Sequence, residues 1–507
     1  MGNLQDYNLN HRDMITFLIC LVALVAAYFL YGKYLDRVAG IRNTSDVPSK
    51  TMFDGVDYIP MPRWKTFLIQ LLNIAGLGPI FGALLGAAYG PVAFLWITLG
   101  GIFFGSMHDF FSGVISLRNG GLSLPEITGK YLGGGTKKLM RWFTVLLMIL
   151  VGAVFMSQPA GLIANRISAP ALADVAFVSP AGFSFSTLLL IILGVILVYY
   201  LIATVLPIDK IIGKIYPIFG GLLIFMALGI LWALFSEYGA QIPEFSGLQN
   251  MKANAEQFPL VPMLFTTIAC GALSGFHATQ SPLMARCVRN ENESRVVFFG
   301  AMISESVIAL IWAAIGMAFW GGVEGLNGAI AGVGGSAAVL VDQIATATLG
   351  ETLAYFVVFG VVACAITSGD TAFRSARLIV ADMFGIDQKS ISKRMWVSLP
   401  IFTLGLVIIF LLPFETIWSY FAWANQALAV FTLWTITVWL HHKGRSIWIS
   451  LVPALVMTYV CSSFIFVSPL MCGMSNRLVA YLLGGVLTIA ISAFMLHKVF
   501  GYGKKSA

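Results

Sequence analysis

Charge is what this chain has least of. Of its 507 residues only 10% are Asp, Glu, Lys or Arg, while 58% are hydrophobic. A water-soluble protein carries about 25% charged residues, so a soluble globular domain is excluded. Cysteine is scarce and unpatterned: Cys20, Cys270, Cys287, Cys364, Cys461 and Cys472 show no CxxC or CxxH spacing. Neither a disulfide framework nor a metal site is therefore expected. All but Cys287 and Cys472 fall inside apolar runs, where thiols behave as small hydrophobes. There is no GxxxxGK[ST] phosphate loop. The nearest approach, "YLGGGTKK" at 131–138, follows no strand, so an ATP-driven pump is not expected. No cleavable signal peptide is expected either: residues 1–13 are polar, and the next run ends in "YFLYGKYLDR" without a small-residue cleavage site. No nucleophile–base pair points to an enzyme.

What the chain does have is apolar runs near twenty residues, the length that crosses a bilayer core. Thirteen candidate spans follow: 14–32, 65–90, 91–116, 140–163, 183–206, 215–236, 260–285, 297–320, 351–373, 395–412, 417–440, 447–467 and 478–500. Helix-length runs exclude an outer-membrane barrel, whose strands are short and alternating. Cytoplasmic loops carry excess Lys and Arg. With the N-terminus outside and the C-terminus cytoplasmic, only Arg12, Arg166, Lys252 and Arg477 of the 30 basic residues fall on the outer side. The net charge of +7 is thus a topology signal, with lipid head groups and not nucleic acid as its partner.

Setting aside the first span and the last two leaves two sets of five, 65–236 and 260–440. They are flanked by 1–64 (one extra span and a cytoplasmic loop) and 441–507 (two spans and a tail). An odd number of spans per half inverts one half relative to the other, as in many secondary transporters. The opening span of each half is interrupted: the first around Gly76, Gly78 and Pro79, the second from Gly271 to Pro282 in "IACGALSGFHATQSPLMARC". Paired Gly/Pro interruptions point to a midplane binding site, because unwound backbone must face protein, water or ligand. Ser274, Gly275 and His277 lie in the second interruption. Asn73, Gln158, Thr279 and Gln280 are polar groups suited to a peptide backbone or carboxylate, although such residues also serve as helix–helix hydrogen-bond partners. The residues 321–350 read as a loop with a short helix at the outer mouth.

Three strings, "GLGPIFGALLGAAYGPVAFLWITLGGIFFGSMHDFFSGVISLRNGGLSLPEI" (76–127), "SGFHATQSP" (274–282) and "ITSGDTAFRSARLIVAD" (366–382), make the chain resemble the carbon-starvation (CstA) family of bacterial inner-membrane transporters. The resemblance implies an all-α polytopic protein of the five-plus-five, LeuT-like fold. It also implies import of peptides or pyruvate under nutrient limitation. By likeness to sodium-coupled members of that fold, a cation would meet the backbone oxygens of Leu72, Ala75 and Cys364 and the hydroxyls of Thr367 and Ser368. Na+ is then the one candidate ion, with no other cofactor, and proton coupling within the family is the competing implication. A Thr-Ser pair in a helix also commonly bonds back to its own turn.

Ionisable residues inside spans are costly and tend to be functional. His277, with an ordinary pKa near about 6.5, suits proton coupling or carboxylate binding. His108-Asp109 reads either as a gate or relay, or as an ion-pair anchor with Arg118. Asp370 and Arg374 stand one helical turn apart, either as local helix support or as a coupling pair. Glu305 lies deep in its span without an obvious partner. These features together give a cation-coupled symporter, with peptides as first substrate and pyruvate as the alternative. A passive channel is a further alternative that the interrupted, inverted plan disfavours.

Overall fold

In lipid a backbone has to satisfy its own N–H and C=O groups, so the apolar runs become helices. The computed structural model describes residues 14–167, 169–205 and 212–501. Arg12, Lys210, Lys504 and Lys505, used above for orientation, lie outside the described residues, as does the last residue of the expected span 183–206. The long helices are α1 (Ile15–Ala39), α2 (Arg63–Ala75), α3 (Gly78–Ala87), α4 (Val92–Arg118) and α5 (Gly134–Arg166). They continue with α6 (Thr187–Thr204), α7 (Tyr216–Gln241), α8 (Leu260–Thr267), α9 (Gly275–Ala285) and α10 (Glu291–Phe319). Then come α11 (Val323–Gly332), α12 (Ala337–Phe384), α13 (Ile391–Leu411), α14 (Thr416–His442), α15 (Trp448–Val467) and α16 (Arg477–Gly501).

Among the described residues eleven helices are long and apolar enough to cross a bilayer, or twelve with a bent pair taken as one span. The expected span 260–285 is divided between α8 and α9, of 8 and 11 residues, each too short to cross alone. Three helices form the centre: the apolar windows of α4, α10 and α14 are 78%, 83% and 89% buried, against 28% for α1 and 22% for α16. The last two present Ile19, Val22, Val486 and Ile489 outward, as lipid-facing helices must.

The first interruption is where the sequence placed it. α2 ends at Gly76, which takes φ +47, a region that glycine enters without strain. The chain then turns by 54° into α3, whose opening carries Pro79. The second interruption is narrower than the sequence suggested. Only 268–274 are unwound, and the helix resumes at Gly275. His277, Thr279, Gln280, Ser281 and Pro282 therefore lie in α9 and not in the break. Pro282 leaves the Ala278 carbonyl without its helical donor, in a segment whose residues from Gly275 to Ala285 are all buried by protein.

The two breaks pack against each other. A Cβ on Gly78 would lie 2.1 Å from Cys270 Cβ. Gly78→Ala therefore forces the breaks apart. We expect an overpacking cost of about 1–3 kcal/mol, read as a lowered melting temperature with impaired transport. A melting curve identical to wild type would mean that the breaks do not meet this closely.

The 321–350 segment, expected at the outer mouth, also departs from expectation. It contains two helices, α11 and the start of α12, which breaks at Gly350 (φ +74) before running on to Phe384. Arg166 at the end of α5 ties this segment down through an ion pair with Asp342 and a 2.7 Å hydrogen bond to Thr346.

Candidate functional site

The unwound 268–274 segment needs partners for its freed backbone. Gln426 on α14 donates to the Leu273 carbonyl at 3.0 Å and the Phe265 carbonyl at 2.9 Å. Asn425 Oδ1 accepts the Phe276 N–H at 2.6 Å and pairs with the Ser274 hydroxyl at 3.1 Å. Trp96 Nε1 donates to the Ile268 carbonyl at 2.9 Å. From sequence, "AWANQA" reads as packing. Its signal was an adjacent Asn-Gln pair in an otherwise apolar span.

Just beyond this break four ionisable side chains meet, each fully buried. His277 Nδ1 on α9 lies 2.8 Å from Asp109 Oδ2 on α4, and His108 Nδ1 lies 2.8 Å from the other oxygen, Oδ1. His277 Nε2 faces Glu305 Oε2 on α10 at 3.4 Å. With Asp109 ionised, a carboxylate can only accept, so each imidazole then carries a proton on Nδ1. His277 Nε2 and Glu305 face each other without a hydrogen bond, and one more proton taken up by either removes one unit of the cluster's negative charge. Wide π-type turns at Trp96–Gly105 and Arg295–Gly300 precede Asp109 and Glu305 on their helices. Such turns often accompany functional sites. The expected anchor between His108-Asp109 and Arg118 is corrected: Arg118 instead pairs with Glu291 and caps the Ala39 and Gly40 carbonyls at 2.8 Å. Cys270, His277 and Glu305 also offer ligand atoms within 4.8 Å of one another, a spacing that a metal ion could bridge and that sequence spacing did not reveal.

A second convergence joins the α2 break to α12. The Ser368 hydroxyl donates to the Leu72 carbonyl at 2.9 Å and the Asn73 carbonyl at 3.1 Å. Thr367 reaches the Leu72 carbonyl at 3.3 Å and its own turn at Ala363 (2.9 Å) and Cys364 (3.0 Å). Thus Leu72, Cys364, Thr367 and Ser368 come together, while Ala75 shares no hydrogen bond with them among the described residues.

Asn73, Thr279 and Gln280, expected to bind substrate, are buried. The Asn73 amide and Gln280 Oε1 are buried without a hydrogen-bond partner. The Gln280 amide donates to Thr279 at 2.8 Å, and Thr279 donates to the Phe276 carbonyl at 2.6 Å. A Cβ on Gly76 would lie 2.7 Å from the Phe155 ring and 3.2 Å from Ser368. Gln158, half-buried one turn beyond Phe155, stands at the margin.

The third cluster lies at the end of the bundle rich in arginine. Arg374 Nη1 meets Asp57 Oδ1 at 3.2 Å, so its carboxylate partner is Asp57 in the 52–62 loop and not the expected Asp370. Asp370 instead accepts from Tyr216 at 3.5 Å, and Tyr216 also bonds the Thr367 carbonyl at 3.1 Å. Burial of Asp57 opposes its charge. The guanidiniums of Arg377, Arg374, Arg286 and Arg394 outweigh this and hold its carboxyl below the usual range. The loop is fixed by Asp54, which accepts three backbone N–H groups, and by Met61 N–H on the Cys287 carbonyl at 2.9 Å.

Two interrupted helices packed break to break, with ionisable groups buried beside them, give this chain the arrangement of a LeuT-like fold. The chain belongs to the carbon starvation protein CstA family, whose model matches residues 12–189, 162–320 and 321–463. It is 43% identical over 350 residues to an uncharacterized membrane protein of Haemophilus influenzae, covering 62% of this chain and 94% of that one. It is 25% identical to the peptide transporter CstA of Bacillus subtilis, covering 88% of each. It is 27% identical to the pyruvate/proton symporter BtsT of Escherichia coli, covering 57% of this chain and 46% of that protein. Among solved structures, MhsT in complex with L-phenylalanine superposes with a TM-score of 0.55 at 14% identity, over 87% of this chain and 99% of that one. That likeness shows the fold.

Proposed function

We propose that this protein imports peptides across the bacterial inner membrane by alternating access, driven by protons. The N-terminus then lies outside and the C-terminus in the cytoplasm. Residues 65–236 and 260–440 act as inverted repeats around the two breaks. The observation that carries the reading is the buried chain His108–Asp109–His277–Glu305 beside the second break. Two imidazoles and two carboxylates hold a proton at little cost and exchange it when the site opens to water. Asn73, Gln280, Thr279 and the ends of α3 and α9 supply hydrogen-bond donors and acceptors for the substrate. The peptide-transporting and proton-coupled relatives are consistent with this reading.

Pyruvate is the second reading, favoured by the pyruvate/proton relative. A short carboxylate would need only one helix N-terminus and a polar side chain or two. Uptake of a labelled dipeptide and of labelled pyruvate by reconstituted protein separates the two. Dipeptide uptake supports the peptide reading, and pyruvate uptake alone overturns it.

Sodium is the alternative driving ion, since Thr367, Ser368 and the Leu72 carbonyl offer hard oxygen ligands. On the proton reading, Thr367→Ala with Ser368→Ala leaves the response to a pH gradient in place, and removing Na+ changes little. Uptake that stops without Na+ would move the coupling to α12.

The convergence of Cys270, His277 and Glu305 adds a further check. If protons alone occupy it, chelator treatment leaves gradient-driven uptake unchanged. Loss of uptake on chelation, restored by a divalent transition metal, would make the cluster a metal centre.

A further inference from the structure

At the arginine-rich end Arg377 is 0% exposed, with Arg286 and Arg374 beside it at 7% and 1%, and the described carboxylates near them are Asp57, Asp370 and Asp382. Asp57 is shared. Arg374 takes its Oδ1 at 3.2 Å, which leaves Arg377 Nη2 at 3.9 Å from the same oxygen, beyond hydrogen-bond length. Arg377 Nη1 donates to Gln388 at 2.6 Å, but its Nε and Nη2 donate to nothing. Arg286 donates to the Gly121 carbonyl at 2.9 Å and lies over the Tyr58 ring at 5.0 Å, with no described carboxylate in ion-pair contact. A carbonyl or a ring face satisfies a donor without cancelling its charge.

A guanidinium cannot shed its proton to escape burial, and a buried charge without a counter-charge is strongly unfavourable. The spare donors are a planar fork of the kind that carboxylates and other small anions occupy. We propose that Arg377, with Arg286 and Arg374 beside it, forms a binding site for a small monoanion, either a carboxylate or chloride, which shares these guanidiniums with Asp57. Asp57 is carried on a loop and not on a helix. When that loop withdraws, the anion replaces its carboxylate and keeps the guanidiniums neutralised. Only the assignment of the anion as the carboxylate of departing substrate rests on the transport reading; the site itself does not.

The test is thermal unfolding of the purified full chain in detergent, at constant ionic strength, in a buffer whose only anion is a bulky sulfonate. Sodium chloride, acetate or pyruvate is then exchanged in. The expected result is a saturable rise in melting temperature that is lost in Arg377→Gln and enlarged in Asp57→Asn. A rise with acetate and pyruvate alone identifies a carboxylate site, and one with chloride alone a halide site; either supports the proposal. Asp57 keeps its 3.2 Å contact with Arg374 in Arg377→Gln, so the loop stays held and this variant remains informative. No anion-specific rise in the wild type, or the same rise in Arg377→Gln, overturns the site. Failure of transport assays while this response stands would count against the proposed function and not against the site.

Discussion

Replacing Asp109 by Asn should nearly abolish gradient-driven uptake while leaving substrate exchange across the membrane measurable. Asp109 accepts from both His108 and His277 at 2.8 Å with no exposed surface. An amide has one acceptor oxygen, so one imidazole would face an NH2 group instead. Removing one partner of a buried pair costs about 3–5 kcal/mol, which is roughly a hundredfold to several thousandfold in an equilibrium constant. Exchange needs no net proton movement, so it separates lost coupling from lost folding. Wild-type uptake under a pH gradient in this variant would remove the cluster from the mechanism. His277→Ala should behave similarly, since it opens the same chain at its centre.

Replacing Asp57 by Asn should shift the resting protein toward the conformation open at its arginine-rich end. Arg374 and Arg377 then lose the carboxylate that holds the 52–62 loop onto α12. The cost is again about 3–5 kcal/mol. A cysteine placed at Thr371 or Ser375, both buried in the wild type, should become reactive to a cytoplasmic thiol reagent. Unchanged protection would show that the loop is not a gate. The pH behaviour differs from that of the midplane cluster. Because Asp57 is held below the usual carboxylate range, its stabilisation is fully present above about pH 4 and is lost only as pH falls through the depressed value. Asp57→Asn should therefore change the size of uptake between about pH 5 and 8 but not the shape of its pH profile, whereas Asp109→Asn should change the shape.

How far these features were legible depended on whether they are local in sequence. The α2 break was plain, since Gly76, Gly78 and Pro79 stand together in an apolar run, and glycine is required both by φ at Gly76 and by space at Gly78. The second break was placed correctly but drawn too long, because polar residues at Thr279, Gln280 and Ser281 look like loop yet fit a helix that lipid does not touch. The transverse pairings were out of reach. Asp109, His277 and Glu305 sit on three different helices, and spacing along one helix does not say which faces meet. The same holds for Asp57 with Arg374, where the adjacent Asp370 offered a nearer but mistaken partner. Asn425 and Gln426 were missed because their purpose is set by the unwound backbone opposite them, not by their own neighbours.

Proton-driven accumulation is the central claim, and a single flux measurement tests it most directly. Purified protein in liposomes would receive an inwardly directed proton gradient without Na+, with labelled dipeptide uptake and internal pH followed together. Accumulation above the external concentration, with matching internal acidification and loss of both on adding a protonophore, is the expected result. Uptake that stops at equal concentrations whatever the gradient would contradict it, leaving a passive pathway through the same fold.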